Sequence, residues 1–101
     1  MNAKRSAQRD PRHIEYVGRN YQLDDPTRTY AERKLAKLDR FLENPAEVRL
    51  TLSLDGHRHI AELHVTHPHG VLQASEETGD MRESILAVIE KAERQARRGR
   101  R

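Results

Sequence analysis

The sequence predicts an α+β fold, a two-layer sandwich in which two helices cover one face of a four-stranded mixed sheet, in the order β-α-β-β-β-α. Residues 48–54 alternate strictly between apolar and polar side chains, which indicates a strand with one buried face. Turn signals at 55–56 and 68–70 separate two further strands. Apolar residues at helical spacing follow capping signals at two places. A chain of 101 residues holds one domain of this kind.

The domain is predicted to span residues 13–98, between two basic ends. Residues 1–12 are polar and contain a proline, which indicates a basic disordered arm. Residues 99–101 are the end of a basic tail. Within the domain, residues 13–20 predict a short first strand.

The first helix has a start signal and a stop signal. Asp25 is expected to cap its free amide groups, and Pro26 suits the first helical position. The helix should run to about Glu43, because Asn44 followed by Pro45 disfavours a further helical turn.

Three strands and a second helix follow. The alternating strand is succeeded by strands at 57–67 and 71–76. Asp80 and Glu83 form a capping box that opens a helix running to about Arg98. A right-handed crossover makes the first two strands parallel, and the last three strands form an antiparallel meander.

Both helices are expected to pack on the same face of the sheet. Each has a narrow apolar stripe. In the first helix it consists of Ala31, Leu35, Leu38 and Leu42. In the second it consists of Met81, Ile85, Val88, Ala92 and Ala96. The other face of the sheet is expected to be polar and solvated. Its side chains include Arg49, Thr51, Ser53, Glu62 and His64.

Charge is distributed unevenly along the chain, whose net charge is +3. Residues 1–13 hold four basic groups and one acid, and residues 91–101 hold six basic groups and one acid, so the two ends carry +8 and residues 14–90 carry −5. Two basic ends on a mildly acidic body indicate a polyanion partner. Solubilising tails are the alternative interpretation.

The helices segregate their charges as well. In the first helix, an acidic flank and a basic flank lie on opposite sides of the apolar stripe. The acidic flank is Glu32, Asp39 and Glu43, and the basic side holds Arg33, Lys34, Lys37 and Arg40. In the second helix, basic residues recur in a row that could follow a phosphate backbone. That row is Lys91, Arg94, Arg98 and Arg101.

Other chemistries find little support in the sequence. Aromatic residues make up 4%, so binding through phosphates and shape is favoured over stacking of splayed bases, and a structured RNA is the expected polyanion. Cysteine is absent, and there is no nucleophile elbow or phosphate loop, so we expect no enzyme activity. His59 and His67, at the two ends of the third strand, are about 26 Å apart and cannot share an ion, so no metal or other cofactor is expected.

Seven segments together resemble the ribosome hibernation promoting factor and ribosome-associated inhibitor family. They are IEYVGRN (14–20), YAERKLAKLDRF (30–41), EVRLTLS (47–53), RHIAELHV (58–65), GVLQASEE (70–77), DMRESI (80–85) and EKAERQARR (90–98). The family fold is also β-α-β-β-β-α and resembles a double-stranded RNA-binding domain.

The resemblance implies a non-enzymatic, cytoplasmic protein that is a monomer when free. Such proteins bind the small ribosomal subunit between head and body, where messenger and transfer RNA would sit. They inhibit translation in stationary or stressed bacteria and preserve idle ribosomes. Because the chain stops soon after the second helix, it is expected to be of the short promoting-factor type, with no membrane and no small-molecule substrate among its partners.

The resemblance also implies which residues contact ribosomal RNA. They lie on the basic helix surfaces, with Arg58 at the start of the third strand as a further candidate. With Arg33 and Arg97 from the same helices, the predicted set is Arg33, Lys34, Lys37, Arg40, Arg58, Lys91, Arg94, Arg97 and Arg98. One departure from the family is Arg82, where an aromatic residue is usual.

Two alternatives to this function remain open from the sequence. The first is a general double-stranded RNA-binding module without ribosome preference. The second is a protein-binding adaptor that uses the acidic flank of the first helix.

Overall fold

A computed structural model describes residues 14–40, 42 and 47–99, apart from the side chains of Asp39 and Arg40. The predicted arm at residues 1–12, residues 100–101 and the predicted end of the first helix at Glu43 lie outside the described residues. The elements are β1 (Ile14–Arg19), α1 (Asp25–Ala36), a 3-10 helix (Lys37–Arg40), β2 (Glu47–Asp55), β3 (Arg58–His67), β4 (Gly70–Thr78) and α2 (Met81–Gly99).

The four strands form one sheet in the order β1-β2-β3-β4. β1 runs parallel to β2, with Ile14 opposite Val48, and β2, β3 and β4 pair antiparallel. Leu50 lies opposite Leu63, so the apolar positions of neighbouring strands fall on the same face. The predicted fold, including the mixed sheet and the order of its elements, is confirmed.

The core lies between this sheet face and the two helices. All nine apolar stripe positions predicted for the helices are buried. α2 adds two residues that the sequence did not single out, Ile89 and Ser84. The buried apolar side chains from the strands are Ile14, Val48, Leu50, Leu52, Ala61, Leu63, Val65 and Leu72. Both helices therefore cover one face of the sheet, as the alternation predicted.

The other face is less uniformly solvated than predicted. Thr51 on this face is only 6% exposed, because it is flanked across the sheet by Val17 of β1 and Glu62 of β3. A hydroxyl at the centre of a sheet is covered by its neighbours even on a polar face. The prediction of a wet position was wrong at Thr51.

The first helix begins one residue earlier than predicted. Asp24, not Asp25, is the N-cap: its backbone is extended, and its carboxylate accepts a 2.9 Å hydrogen bond from the amide of Thr27. This hydrogen bond holds the pKa of Asp24 below its ordinary value. Pro26 consequently occupies the second helical position and not the first.

The first helix also ends differently. The α-helix stops at Ala36, and the chain tightens into a 3-10 turn at Lys37–Arg40. The amide of Lys37 bonds the carbonyl of Lys34, three residues back, which is the 3-10 pattern. Leu38 and Leu42 remain buried, so the tighter turn preserves the predicted apolar stripe.

The second helix is capped as predicted, but only by half of a capping box. The Asp80 carboxylate accepts from the amide of Glu83 at 3.1 Å. The amide of Asp80 itself donates to the hydroxyl of Thr78 and not to the side chain of Glu83. Thr78 also contacts the buried Ser84, whose hydroxyl donates to the carbonyl of His59 at 2.6 Å. These bonds fasten the start of α2 to the ends of β3 and β4.

Candidate nucleic-acid interface

The two helices lie side by side and begin at the same end of the sheet. The guanidinium of Arg82, in the first turn of α2, lies over the ring of Tyr30 of α1 with its carbon 5.3 Å from the ring centroid. Arg82 also lies close enough to the N-cap Asp24 to contribute, after the hydrogen bond from Thr27, to lowering its pKa. The basic C-terminal halves of the two helices therefore point toward the same end of the domain.

The basic flank of α1 faces α2. The ammonium of Lys34 lies 5.4 Å from the centroid of Tyr30, the ring that Arg82 also contacts. On the other side of α1, Arg28 lies over Tyr16 of β1. At about 100° per residue, Lys37 projects on the same side as Tyr30, and the exposed Arg33 projects about 60° further outward.

The basic row of α2 lies mainly on the side away from α1. Lys91 donates to the backbone carbonyl of Ser75 at 3.3 Å and pairs with Glu76 at 3.6 Å, so this side of α2 faces β4. Arg98 lies about 20° from Lys91 around the helix axis, and Arg94 about 60°, directed away from the core. The row therefore does not adjoin the basic flank of α1.

Arg97 lies on α2 between the basic row of that helix and the basic flank of α1. It is exposed and lies about 60° around α2 from Arg82, on the side that faces α1. Six predicted residues thus share one outer surface, which we call the helix surface: Arg33, Lys34, Lys37, Arg94, Arg97 and Arg98. Lys91 lies at its margin, and the side chain of Arg40 lies outside the described part of the chain.

Arg58 lies on the opposite side of the domain. Its guanidinium bonds both carboxylate oxygens of Glu77 at 2.9 and 3.0 Å and Asp55 at 3.0 Å. The paired hydrogen bonds lower the pKa of Glu77 and raise the pKa of Arg58. The structure does not bring Arg58 together with the helix residues.

The polar face of the sheet, the sheet surface, carries charges of both signs: Glu15, Arg19, Glu47, Arg49, Asp55, Arg58, Glu62 and Glu77. Arg49 pairs with Glu15 at 3.3 Å, and Arg58 is paired as described. Two of the three arginines of the sheet surface, Arg49 and Arg58, are thus paired with carboxylates of the protein itself.

The histidines that the structure describes make only local contacts. His67 and His69 make an edge contact with ring centroids 6.1 Å apart, and His64 hydrogen-bonds Gln73 across the strands. Within residues 14–40, 42 and 47–99, no three histidine or acidic side chains come together as a metal site requires. In the same residues, neither helix is long and apolar enough to cross a bilayer.

The RNA-binding residues predicted from the sequence do not include Arg82. It is exposed and lies beside the cations of α1. Tyr30, which Arg82 contacts in space, is 52 residues away in the chain, so no local sequence pattern predicts the contact. The one available signal was the exchange of an aromatic residue for a cation at this position.

Comparison with known proteins assigns the family. A family model described as Sigma 54 modulation protein / S30EA ribosomal protein matches residues 14–101. The chain belongs to this family. The resemblance seen in the sequence is thereby confirmed, since curated relatives carry the name of ribosome hibernation factors.

Two curated relatives show the extent of the similarity. The ribosome hibernation promotion factor of Deinococcus radiodurans is 33% identical over 86 residues, covering 80% of this chain and 45% of its own length. The ribosome hibernation promoting factor of Salmonella typhimurium is 31% identical, covering 84% of this chain and 90% of its own length. The chain thus spans less than half of the first relative and most of the second.

The fold has a solved counterpart. The N-terminal domain of Protein Y from Thermus thermophilus superposes with a TM-score of 0.79 at 34% identity. The match covers 86% of this chain and 98% of that domain.

Proposed function

We propose that this protein is a ribosome hibernation factor. It binds the small ribosomal subunit in the channel for messenger and transfer RNA, inhibits translation, and preserves idle ribosomes under stress or in stationary phase. It acts in the cytoplasm, where ribosomes work, and without enzymatic chemistry. Family membership and the names of the relatives support this proposal.

The observation that carries the proposal is the difference between the two surfaces of the domain. On the helix surface, Arg33, Lys34, Lys37, Arg94 and Arg98 form no ion pair with a carboxylate among the described residues. On the sheet surface, Arg49 and Arg58 are paired with carboxylates of the same surface. A polyanion is attracted to cations that are not already paired. Ribosomal RNA is therefore expected to contact the helix surface, mainly through phosphates.

The mechanism is steric occlusion. The sheet, its hydrogen-bonded strands and the packed helices make a rigid body that needs no rearrangement to bind. Held in the channel by phosphate contacts, this body excludes messenger and transfer RNA from the space it occupies. The affinity should fall steeply with salt, because each phosphate contact releases counterions.

The test compares two triple variants with the same change of charge. Lys37→Glu, Arg94→Glu, Arg98→Glu reverses three cations on the helix surface. Arg19→Glu, Arg49→Glu, Arg58→Glu reverses three cations on the sheet surface. Each is mixed with small subunits, large subunits and whole ribosomes and sedimented through a density gradient at about 0.05 and 0.15 M salt.

The helix-surface variant should lose co-sedimentation with small subunits, while the sheet-surface variant should retain it. Both variants must first show the far-ultraviolet circular dichroism and thermal unfolding of the parent protein. Equal loss in the two variants would mean that only net charge matters. Unchanged binding of the helix-surface variant would contradict the mechanism, and equal affinity for any RNA duplex would favour the general RNA-binding alternative.

A further inference from the structure

Arg82 is an exposed arginine at the opposite end of α2 from the predicted basic row. About twelve residues, or 18 Å along the helix, separate it from Arg94. It projects toward α1 and lies over the ring of Tyr30, which Lys34 of α1 also contacts. A cation at this position extends the helix surface toward the N-terminal ends of the two helices.

The charge of Arg82 remains available to a ligand. Within the part of the chain that the structure describes, Arg82 makes no ion pair, and its close partner is the ring of Tyr30. Asp24 lies near enough to attract Arg82 electrostatically, but its carboxylate accepts the capping hydrogen bond from Thr27 and forms no ion pair with Arg82. An arginine over an aromatic ring keeps its charge and its in-plane donors, since the ring contacts its face.

Tyr30 contacts one cation from each helix. Lys34, one turn further along α1, and Arg82 of α2 lie 5.4 and 5.3 Å from the same ring centroid. The ring is half-buried and packs against the core, so it is itself held in place. An exposed arginine loses much side-chain entropy when it binds, and a fixed ring that holds it beforehand lowers this loss.

We propose that Arg82 is an RNA-contacting residue of the helix surface and that Tyr30 is the positioning residue that orients both Arg82 and Lys34 toward the RNA backbone. The role rests on the proposed function, which supplies the RNA. Arg82 offers its planar donors to a phosphate, and Tyr30 acts through the two cations without contacting the RNA itself.

The test measures binding of the full chain to purified small ribosomal subunits at several salt concentrations. Arg82→Gln removes the proposed contact. Arg19→Gln removes the same charge from the sheet surface, where the arginine is also exposed. We expect Arg82→Gln to weaken binding about tenfold and to reduce the slope of log affinity against log salt by about one, and Arg19→Gln to leave the slope unchanged.

The role of Tyr30 is tested with two variants. Tyr30→Phe keeps the ring and should bind like the parent protein, with the same salt slope. Tyr30→Leu keeps apolar packing but removes the ring. It should bind small subunits more weakly and with a smaller salt slope than the parent protein. Its unfolding temperature should stay close to that of Tyr30→Phe. A purely structural role of Tyr30 would change the unfolding temperature and leave the salt slope as it was.

The outcomes separate this proposal from the proposed function. If the parent protein fails to bind small subunits, the proposed function is wrong. If the parent binds and Arg82→Gln matches Arg19→Gln in affinity and slope, the role of Arg82 is overturned. If Tyr30→Leu unfolds, the Arg82→Gln measurement still decides for Arg82, and loss of affinity in Tyr30→Phe would contradict the positioning role of the ring.

Discussion

Gly18 is required by a close backbone approach that the pattern of its own strand does not predict. It lies on the core face of β1, opposite Leu52. A Cβ atom at this position would collide with the backbone carbonyl oxygen of Tyr21. The chain leaves β1 so tightly that only a residue without a side chain fits.

We therefore expect Gly18→Ala to lower the free energy of unfolding by about 1–3 kcal/mol, because backbone and not a flexible side chain must move. Gly79→Ala is the matched control, since a Cβ there has no atom within 4 Å. Urea denaturation of both variants and the parent measures the difference. Equal urea midpoints for the two variants would show that the turn after β1 accommodates a Cβ atom without loss of stability.

Exposed arginines also differ in whether their charge is available to a ligand. Arg58 and Arg94 are both exposed. Arg58 is bound on three sides by the carboxylates of Asp55 and Glu77, whereas no carboxylate among the described residues pairs with Arg94. The composition predicts the number of cations, but their neighbours decide which cations remain available.

At the scale of the element, α2 carries cations with two different roles. Lys91 reaches the edge of the sheet, where its ammonium donates to the Ser75 carbonyl and pairs with Glu76. An edge strand exposes unpaired carbonyls, and a lysine is a common way to cover them. Arg98, nearly in line with Lys91 around the helix, is exposed, and no carboxylate among the described residues pairs with it.

This difference predicts unequal effects on RNA binding. Arg98→Gln should weaken binding to small subunits about tenfold, because an unpaired charge is lost from the helix surface. Lys91→Gln should weaken it less, because its charge is already partly satisfied by Glu76. Titration of labelled protein with small subunits at one fixed salt concentration measures both. A larger loss for Lys91→Gln would place the RNA at the β4 side of α2.

At the scale of the whole molecule, two exposed carboxylates connect folding to pH. The hydrogen bond from Thr27 lowers the pKa of Asp24 from its ordinary 3.8, and the bonds from Arg58 lower the pKa of Glu77 from its ordinary 4.5. A carboxylate with a depressed pKa stabilises the fold above its ordinary pKa. The stabilisation is lost as the pH falls through the pKa of the folded state.

The free energy of unfolding should therefore decrease as the pH is lowered from about 6 to about 3. In the double variant Asp24→Asn, Glu77→Gln this decrease should be shallower, because two of the groups that bind protons on unfolding are absent. Asparagine still caps a helix, so the variant keeps α1. Denaturation curves at several pH values measure the slopes, and parallel slopes for parent and variant would assign the acid sensitivity to other carboxylates.

The sequence by itself determined the order of the elements and most side chains of the core, although it did not single out Ile89 and Ser84. These follow from local periods, two in the strands and 3.6 in the helices, and from capping residues within one turn of each helix start. Local signals predict the ends of a helix or strand only to within a residue or two. Asp24 and Asp25 are chemically equal candidates for the N-cap of α1, and the structure selects Asp24 because its backbone is extended.

The tertiary structure decided which charges meet. Arg82 with Tyr30, Arg58 with Glu77 and Lys91 with Glu76 are contacts between residues 15 or more positions apart, set by how the sheet twists and how the helices lie on it. A charge pattern on one helix cannot state which flank faces the neighbouring helix. Periodicity therefore predicted the fold, whereas packing decided which of the many cations lie together on the helix surface.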